Sequence, residues 1–287
     1  MRNIDLDSLE IFQAVVTEGG ISRAAQKLHR VQSNISTRIK QLEQRLDTRL
    51  FLRQGRSLRL SPEGEVLLGY ADKLLRLAAE AEASLSGGPP SGTLRIGSME
   101  STAAARLPPL LSRYHQLYPQ VDIVIATDTA DGLLQRLLQY DIDVAFVAEP
   151  VLHNALDTRR VFLEELVLLS PPSRAEAPTA ANASGATLIA FRSGCAYRRY
   201  LEEWLRQSGV VPGAVIEVSS YHAIIACVAA GTGIAVVPRS VLEVVPEYAN
   251  LQLYPLPGRI AKIHTLLAWR QDYGGAKLDA LKQILAA

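Results

Sequence analysis

The stretch that decides the architecture runs from Ala24 to Gly64: AAQKLHRVQSNISTRIKQLEQRLDTRLFLRQGRSLRLSPEG. Its middle, Gln32 to Leu46, sets Ile35, Ile39, Leu42 and Leu46 at helical spacing. The other side of that helix carries Gln32, Ser33, Ser36, Thr37 and Lys40, with Asn34 and Arg38 alongside. Small hydrogen-bonding and basic side chains at the start of a helix suit base edges in a DNA major groove. Upstream, Ser22 to Leu28 reads as a short helix with Ser22 as N-cap and the small Ala24-Ala25 pair at its contact face. His29-Arg30-Val31 makes the turn between the two. Downstream, Phe51-Leu52 and Leu58-Arg59-Leu60 alternate like two strands around Gln54-Gly55-Arg56. That hairpin puts Arg53 and Arg56 on a wing beside the helix. Ser61-Pro62 is an N-cap followed by proline at the first helical position.

Charge follows the same division. The chain has 287 residues, and 30 Lys+Arg against 29 Asp+Glu give a net charge of +1, which taken whole argues against a nucleic-acid partner. Between Arg23 and Arg59, however, ten basic residues meet only Glu43 and Asp47. The rest of the chain cancels this excess, and such asymmetry points to a partner for one part. A hydrophobic fraction of 48% excludes a disordered chain. At roughly 100–200 residues per domain the length suggests about two domains. No apolar run reaches the ~18 residues of a membrane span. The start, MRNIDLDSLE, lacks the pattern of a secretory signal, and two cysteines make no disulfide framework, so a cytoplasmic protein with no membrane partner is expected.

Working outward, Leu6, Leu9, Ile11, Phe12, Val15 and Val16 mark a first helix ended by Gly19-Gly20. From Pro62 to Leu85 a long helix is expected, with Leu67, Tyr70, Leu74, Leu77 and Ala81 at the 3-4 spacing of a coiled-coil seam or of a face packed on its own domain. SGGPPSGT, Ser86 to Thr93, reads as a linker. Beyond it strands and helices alternate, which predicts a parallel sheet with helical crossovers. The strands are Leu94–Ile96, Val121–Ala126, Ile142–Val147, Leu166–Leu169, Leu188–Phe191, Val215–Val218 and Ile234–Val237. Ligands in such folds sit beyond the carboxyl ends of the strands. That rule selects the loops carrying Ser98, Met99, Glu100, Ser101 and Thr102, then Thr127 and Asp128, then Ser193, Cys195 and Tyr197, then Tyr221 and His222, then Thr232. Helix capping is the plain alternative for their hydroxyls. Glu100 and Asp128 would face a cationic group, with Arg192 and Arg198 opposing it if they point inward.

Enzyme readings are weaker. Gly231-Thr232-Gly233 leads into a strand instead of opening a helix, the reverse of a dinucleotide fingerprint. Cys195 and His222 sit in no nucleophile signature, although a thiol near a helix N-terminus can also sense redox state. The five histidines show no metal spacing, and no Walker loop or nucleophile elbow occurs. No catalytic residue, metal or cofactor is expected; a small-molecule effector is.

The Ala24–Gly64 segment resembles the winged helix-turn-helix of LysR-type transcriptional regulators, in its Ala-Ala pair, its Gln-Ser-Asn-Ile-Ser run, its Leu-Phe and its closing Leu-Ser-Pro-x-Gly. The resemblance extends over nearly the whole chain. It implies a mixed fold: an all-α winged helix-turn-helix domain over 1–61, a linker helix and hinge over 62–92, and an α/β two-lobed, periplasmic-binding-protein-like effector domain over 93–287. Lobe I would hold 93–163 and 266–287, and lobe II 164–265. It implies DNA contacts by the residues matching Gln32, Ser33, Ser36, Thr37 and Arg53, a homodimer or homotetramer, and RNA polymerase as a further partner. Ser33 and Thr37 stand where many members have proline and arginine. GSMESTAAARLP, AFRSGCAYRRY and SSYHAIIACVAAGTGIAVVPRS are similar to a subgroup linked to putrescine utilisation, which implies a polyamine or amino-acid-derived effector. The alternative is an α/β small-molecule-binding protein or enzyme with a fused helical arm.

Overall fold

The computed structural model describes residues 4–54, 57–86, 88–172, 185–207, 209–245 and 251–286. They form two compact units divided between Gly87 and Gly88.

In the first unit, α1 (Leu6–Thr17) begins at Asp5, whose carboxylate accepts from the Ser8 amide at 2.8 Å. A hydrogen bond from Arg45 holds that carboxyl down at about 2. The helix ends in a Schellman motif: Gly20 N–H donates to Val15 O and Gly19 N–H to Val16 O, with Gly19 at φ 69°. α2 (Ile21–Lys27) follows at once, so Gly20 occupies the N-cap and Ser22 lies inside the helix. The expected Ser22 cap is therefore wrong, because the motif that closes α1 brings α2 forward. α3 spans Gln32–Leu46, the range read from the sequence, and buries Ile35, Ile39 and Leu42. Glu43 fixes the exit from α3 by accepting from the amides of Leu50 and Phe51, at 2.8 and 3.2 Å.

β1 (Phe51–Gln54) and β2 (Ser57–Leu60) form the antiparallel hairpin, with Phe51 opposite Leu60. Phe51 tilts against the fully buried Phe12, ring centres 5.4 Å apart. α4 (Pro62–Ser86) starts at Ser61, whose Oγ accepts from Gly64 N–H at 2.9 Å and donates to Arg49 O at 2.6 Å. Leu67 and Ala71 join the core, whereas Tyr70, Leu74 and Leu77 are 62%, 41% and 46% exposed. Most of the expected seam is thus left open by its own domain.

The second unit is α/β. β3 (Gly92–Ser98) pairs in parallel with β4 (Val121–Thr127) on one side and β5 (Val144–Ala148) on the other. α5 (Glu100–Ala105), α6 (Leu107–Leu117) and α7 (Ala130–Leu138) make the crossovers, and α11 (Ala276–Ile284) packs with α6. This is the first lobe. The second holds β7 (Thr187–Ala190) parallel to β8 (Ala214–Glu217), then β9 (Ala235–Pro238) and β10 (Gln252–Pro255), with α8 (Ala196–Gln207), α9 (Tyr221–Ala229) and α10 (Arg239–Glu243).

Two long strands run through both lobes. β6 (Leu156–Ser170) pairs antiparallel with β11 (Lys262–Arg270) along its first part and with β9 and β10 along its last. Opposite the Thr265–Leu266 step the register shifts, leaving Val161 without a partner residue. The sheet is therefore mixed, not parallel throughout as the alternation suggested. The reason is that β6 and β11 connect lobes, so they need not obey the right-handed crossover that makes neighbours parallel.

Candidate nucleic-acid interface and effector cavity

The first turn of α3 has no side-chain cap, and Gln32, Ser33 and Asn34 are all exposed. Thr37 and Lys40 continue the same open face, and Ser36 is half-buried. Free amides at a helix start and a row of exposed polar side chains suit phosphates and base edges together. Arg38 is turned back: its guanidinium lies 2.7 Å from the Asp7 carboxylate, which Arg30 also contacts at 2.7 Å. The side chain of Arg53 and the whole of Arg56 lie outside the described residues.

In the second unit a cavity of about 470 Å³ opens at the carboxyl ends of β3, β4, β7 and β8, between the lobes. Eight of the residues expected there line it: Met99, Glu100, Ser101, Thr127, Asp128, Cys195, Tyr197 and Tyr221. Five do not. Ser98 is fully buried and donates to Met99 O, and Thr102 is 1% exposed in the core. Ser193, His222 and Thr232 are exposed outside the cavity. Successive residues of one helical turn point in different directions, so a rule that selects loops admits neighbours facing the wrong way. Thr129, Arg192, Ala196 and Ser219, from the same loops, also line it, and Ala130, Phe191, Glu217 and Val218, which the loop selection did not include, complete the lining. Applying the strand-end rule to the last residue of β8 would have found Glu217.

The charges are arranged in pairs. Arg192 reaches across from the second lobe to Asp128 of the first, and Arg198, outside the cavity, holds Glu217 and Glu202. Glu100, at the start of α5, meets no cationic side chain among these pairs, and its Oε2 is buried without a hydrogen-bond partner. Burial pushes its carboxyl above the ordinary range, while the Tyr221 amide at the start of α9 and the charge of His222 pull the other way. Ser101 Oγ and Tyr197 OH are likewise buried without partners in the cavity wall. Burial pushes the Cys195 thiol up as well, which disfavours the thiolate a nucleophile or sensor needs. With His222 outside, no cysteine–histidine pair is assembled here. Gly233 has a packing reason: a Cβ there would lie 2.2 Å from the Thr187 carbonyl. Among the described residues no group of His, Cys, Asp or Glu could hold a metal ion, and no helix is long and apolar enough to cross a membrane.

The raised Glu100 carboxyl carries a sign. It favours the folded state when protonated, a contribution fully present below the ordinary value of 4.5 and lost as pH rises through the raised value. Glu100→Gln keeps an acceptor for the Tyr221 amide and removes the ionisation. Thermal melts should show the variant more stable than wild type at pH 7.5 and equal to it at pH 4; equal melts at both would remove the burial argument.

Comparison with known proteins bears on both sites. Residues 6–65 match the bacterial regulatory helix-turn-helix proteins of the lysR family, and residues 87–287 match the LysR substrate binding domain. The chain is 36% identical over 270 residues to the HTH-type transcriptional regulator GltR of Bacillus subtilis, covering 94% of this chain and 91% of that one. It is 40% identical over 265 residues to the uncharacterized HTH-type transcriptional regulator YusT of the same organism, covering 92% and 89%. Its fold is similar to full-length CbnR complexed with its target DNA, at TM-score 0.69 and 21% identity over 99% of both chains.

Proposed function

We propose, given that this chain belongs to the LysR family of bacterial helix-turn-helix transcriptional regulators, that it reads its operator with α3 and answers to a small molecule held between its two lobes. It is a DNA-binding regulator with an effector-binding domain, not an enzyme. The observation that carries the operator reading is the exposed, uncapped first turn of α3. In it Gln32, Ser33, Asn34, Ser36 and Thr37 address bases, Lys40 and the helix amides address phosphates, and Arg53 and Arg56 of the wing extend the contact. Arg38 contributes by giving up Asp7.

Residues 1–61 serve as the reading head, 62–92 as linker helix and hinge, and 93–287 as the sensor, with lobe I over 93–163 and 266–287 and lobe II over 164–265. The exposed Tyr70, Leu74 and Leu77 support a second copy of α4 as the partner of that face, hence a homodimer or homotetramer. Work on DNA and RNA polymerase places the protein in the cytoplasm. The effector is a polyamine or amino-acid-derived metabolite; the carboxylates of Glu100 and Asp128 in the cavity support a nitrogenous ligand.

Gel shifts on the DNA upstream of the protein's own gene test the reading. Gln32→Ala should weaken the preferred site by roughly 1–3 kcal/mol while leaving non-specific binding intact. Affinity should also fall steeply with salt. Unchanged affinity and base preference in that variant would sink the α3 assignment.

A further inference from the structure

The cavity distinguishes between the two effector classes, and the distinction rests on its being the effector site. Two of its three acidic groups are already held by arginines. Asp128, 20% exposed, is taken by Arg192, and Glu217 is taken by Arg198. Arg192 itself lines the cavity, so a polyamine would meet a guanidinium beside the carboxylate it seeks. A dicarboxylate would meet the converse. Either ligand leaves one member of the Arg192–Asp128 pair facing a like charge; the penalty is larger at Asp128, 20% exposed, than at Arg192, 65% exposed and screened by water. A molecule carrying both charges meets no such penalty. Its carboxylate replaces Asp128 on Arg192, its ammonium replaces Arg192 on Asp128, and every charge stays paired.

A second feature points to what lies between those ends. Glu100 Oε2, Ser101 Oγ and Tyr197 OH are buried in the cavity wall with no hydrogen-bond partner. Ser101 and Tyr197 are 3% and 2% exposed. These hydroxyls lie against one another just behind the cavity surface, and a small adjustment of the wall would turn them to a polar occupant. At Glu100 burial outweighs the Tyr221 amide and the His222 charge and raises the carboxyl, so a neutral polar group complements it better than a third charge. The volume, about 470 Å³, falls in the lower part of the range usual for small-molecule sites, ~300–1,000 Å³.

We infer that the effector is a free amino acid with an uncharged polar side chain, which exchanges the Arg192–Asp128 ion pair for two pairs to itself and sets its side chain against Glu100, Ser101 and Tyr197. Because Arg192 and Asp128 belong to different lobes, the ligand then becomes the link between them.

Calorimetry on the full chain tests this with the twenty common amino acids, putrescine and succinate as probes. Heat is expected from one or more of serine, threonine, asparagine and glutamine, and none from putrescine or succinate. Arg192→Gln should weaken the amino acid about tenfold or more, the loss usual for a charge-assisted hydrogen bond, and Asp128→Asn likewise. Arg192→Gln, left with an unopposed Asp128, should begin to bind putrescine. Binding of putrescine or succinate by the wild-type chain, silence of all twenty amino acids, or an amino acid that ignores both substitutions overturns the inference. Ser219→Trp, filling the cavity from an exposed position, separates the two levels. If it abolishes putrescine or succinate binding, the cavity is still the effector site and only the ligand class is wrong. If a bound probe ignores it, the site itself is wrong.

Discussion

Glu164→Ala should destabilise the second unit by about 3 kcal/mol, roughly 6–12 °C in Tm for a domain of this size. Glu164 is 3% exposed on β6. Its carboxylate receives Arg106 Nε at 2.8 Å and Nη2 at 3.2 Å from the α5–α6 junction of the first lobe. Ser240 Oγ of α10, in the second lobe, donates to the same group at 2.6 Å. Removing the carboxylate strands a guanidinium and a hydroxyl that were bonded, which costs more than the pair is worth when intact. Arg106 is 33% exposed, so water relieves part of the cost and the low end of the ~3–5 kcal/mol range applies. The next residue supplies the control. Glu165 pairs with Arg239 at 2.9 Å, but the two side chains are 46% and 43% exposed, so Glu165→Ala should leave the melt almost unchanged. Melts that do not separate the two variants would refute the clamp.

Gly64→Ala should cost about 3 kcal/mol in the first unit and lower operator binding with it. A Cβ at Gly64 would lie 2.3 Å from the Leu50 carbonyl oxygen and 2.9 Å from Leu60 Cδ2. The first contact is backbone, and that carbonyl already accepts from the Ser61 amide at 2.9 Å, so it cannot turn aside. Relief comes only by lifting α4 off the hairpin, which loosens Leu67 and Ala71. Gly69 lies in the same helix, where a Cβ meets nothing within 4 Å. Gly69→Ala should therefore stabilise by roughly 0.5–1 kcal/mol, the helix-propensity gain. Urea unfolding of the two variants checks the contrast; similar midpoints would mean that the close approach is not the cause.

The reading head was legible because its signals are local. α3 is bounded by an exposed polar turn and a run of apolar residues at one period, and Ser61-Pro62 caps α4 by chemistry that needs no distant partner. What was missed depends on distant partners. The first third of β6, Leu156 to Arg160, reads LDTRR and lacks an apolar pattern; it is a strand because β11 lies beside it. α10 has five residues, too few for a periodic signal. In the second unit the strand-end rule reached four loops that line the cavity, since topology fixes which loops meet, and one, at Thr232, that does not. It could not say that Ser98 turns into the core while Ser101 turns into the cavity, nor that Arg192 would seek Asp128 in the other lobe.

The paired strands β6 and β11 also limit what the sensor can transmit. A ladder of backbone hydrogen bonds resists sliding, because every bond along it must break at once, but it flexes across its plane at little cost. Together the two strands act as a leaf spring, and the unpaired Val161 opposite Thr265–Leu266 is its thinnest point. Such a ladder favours bending about that point over sliding of one lobe against the other. The proposed effector, bridging the two lobes beside this step, would set a bend and not a displacement.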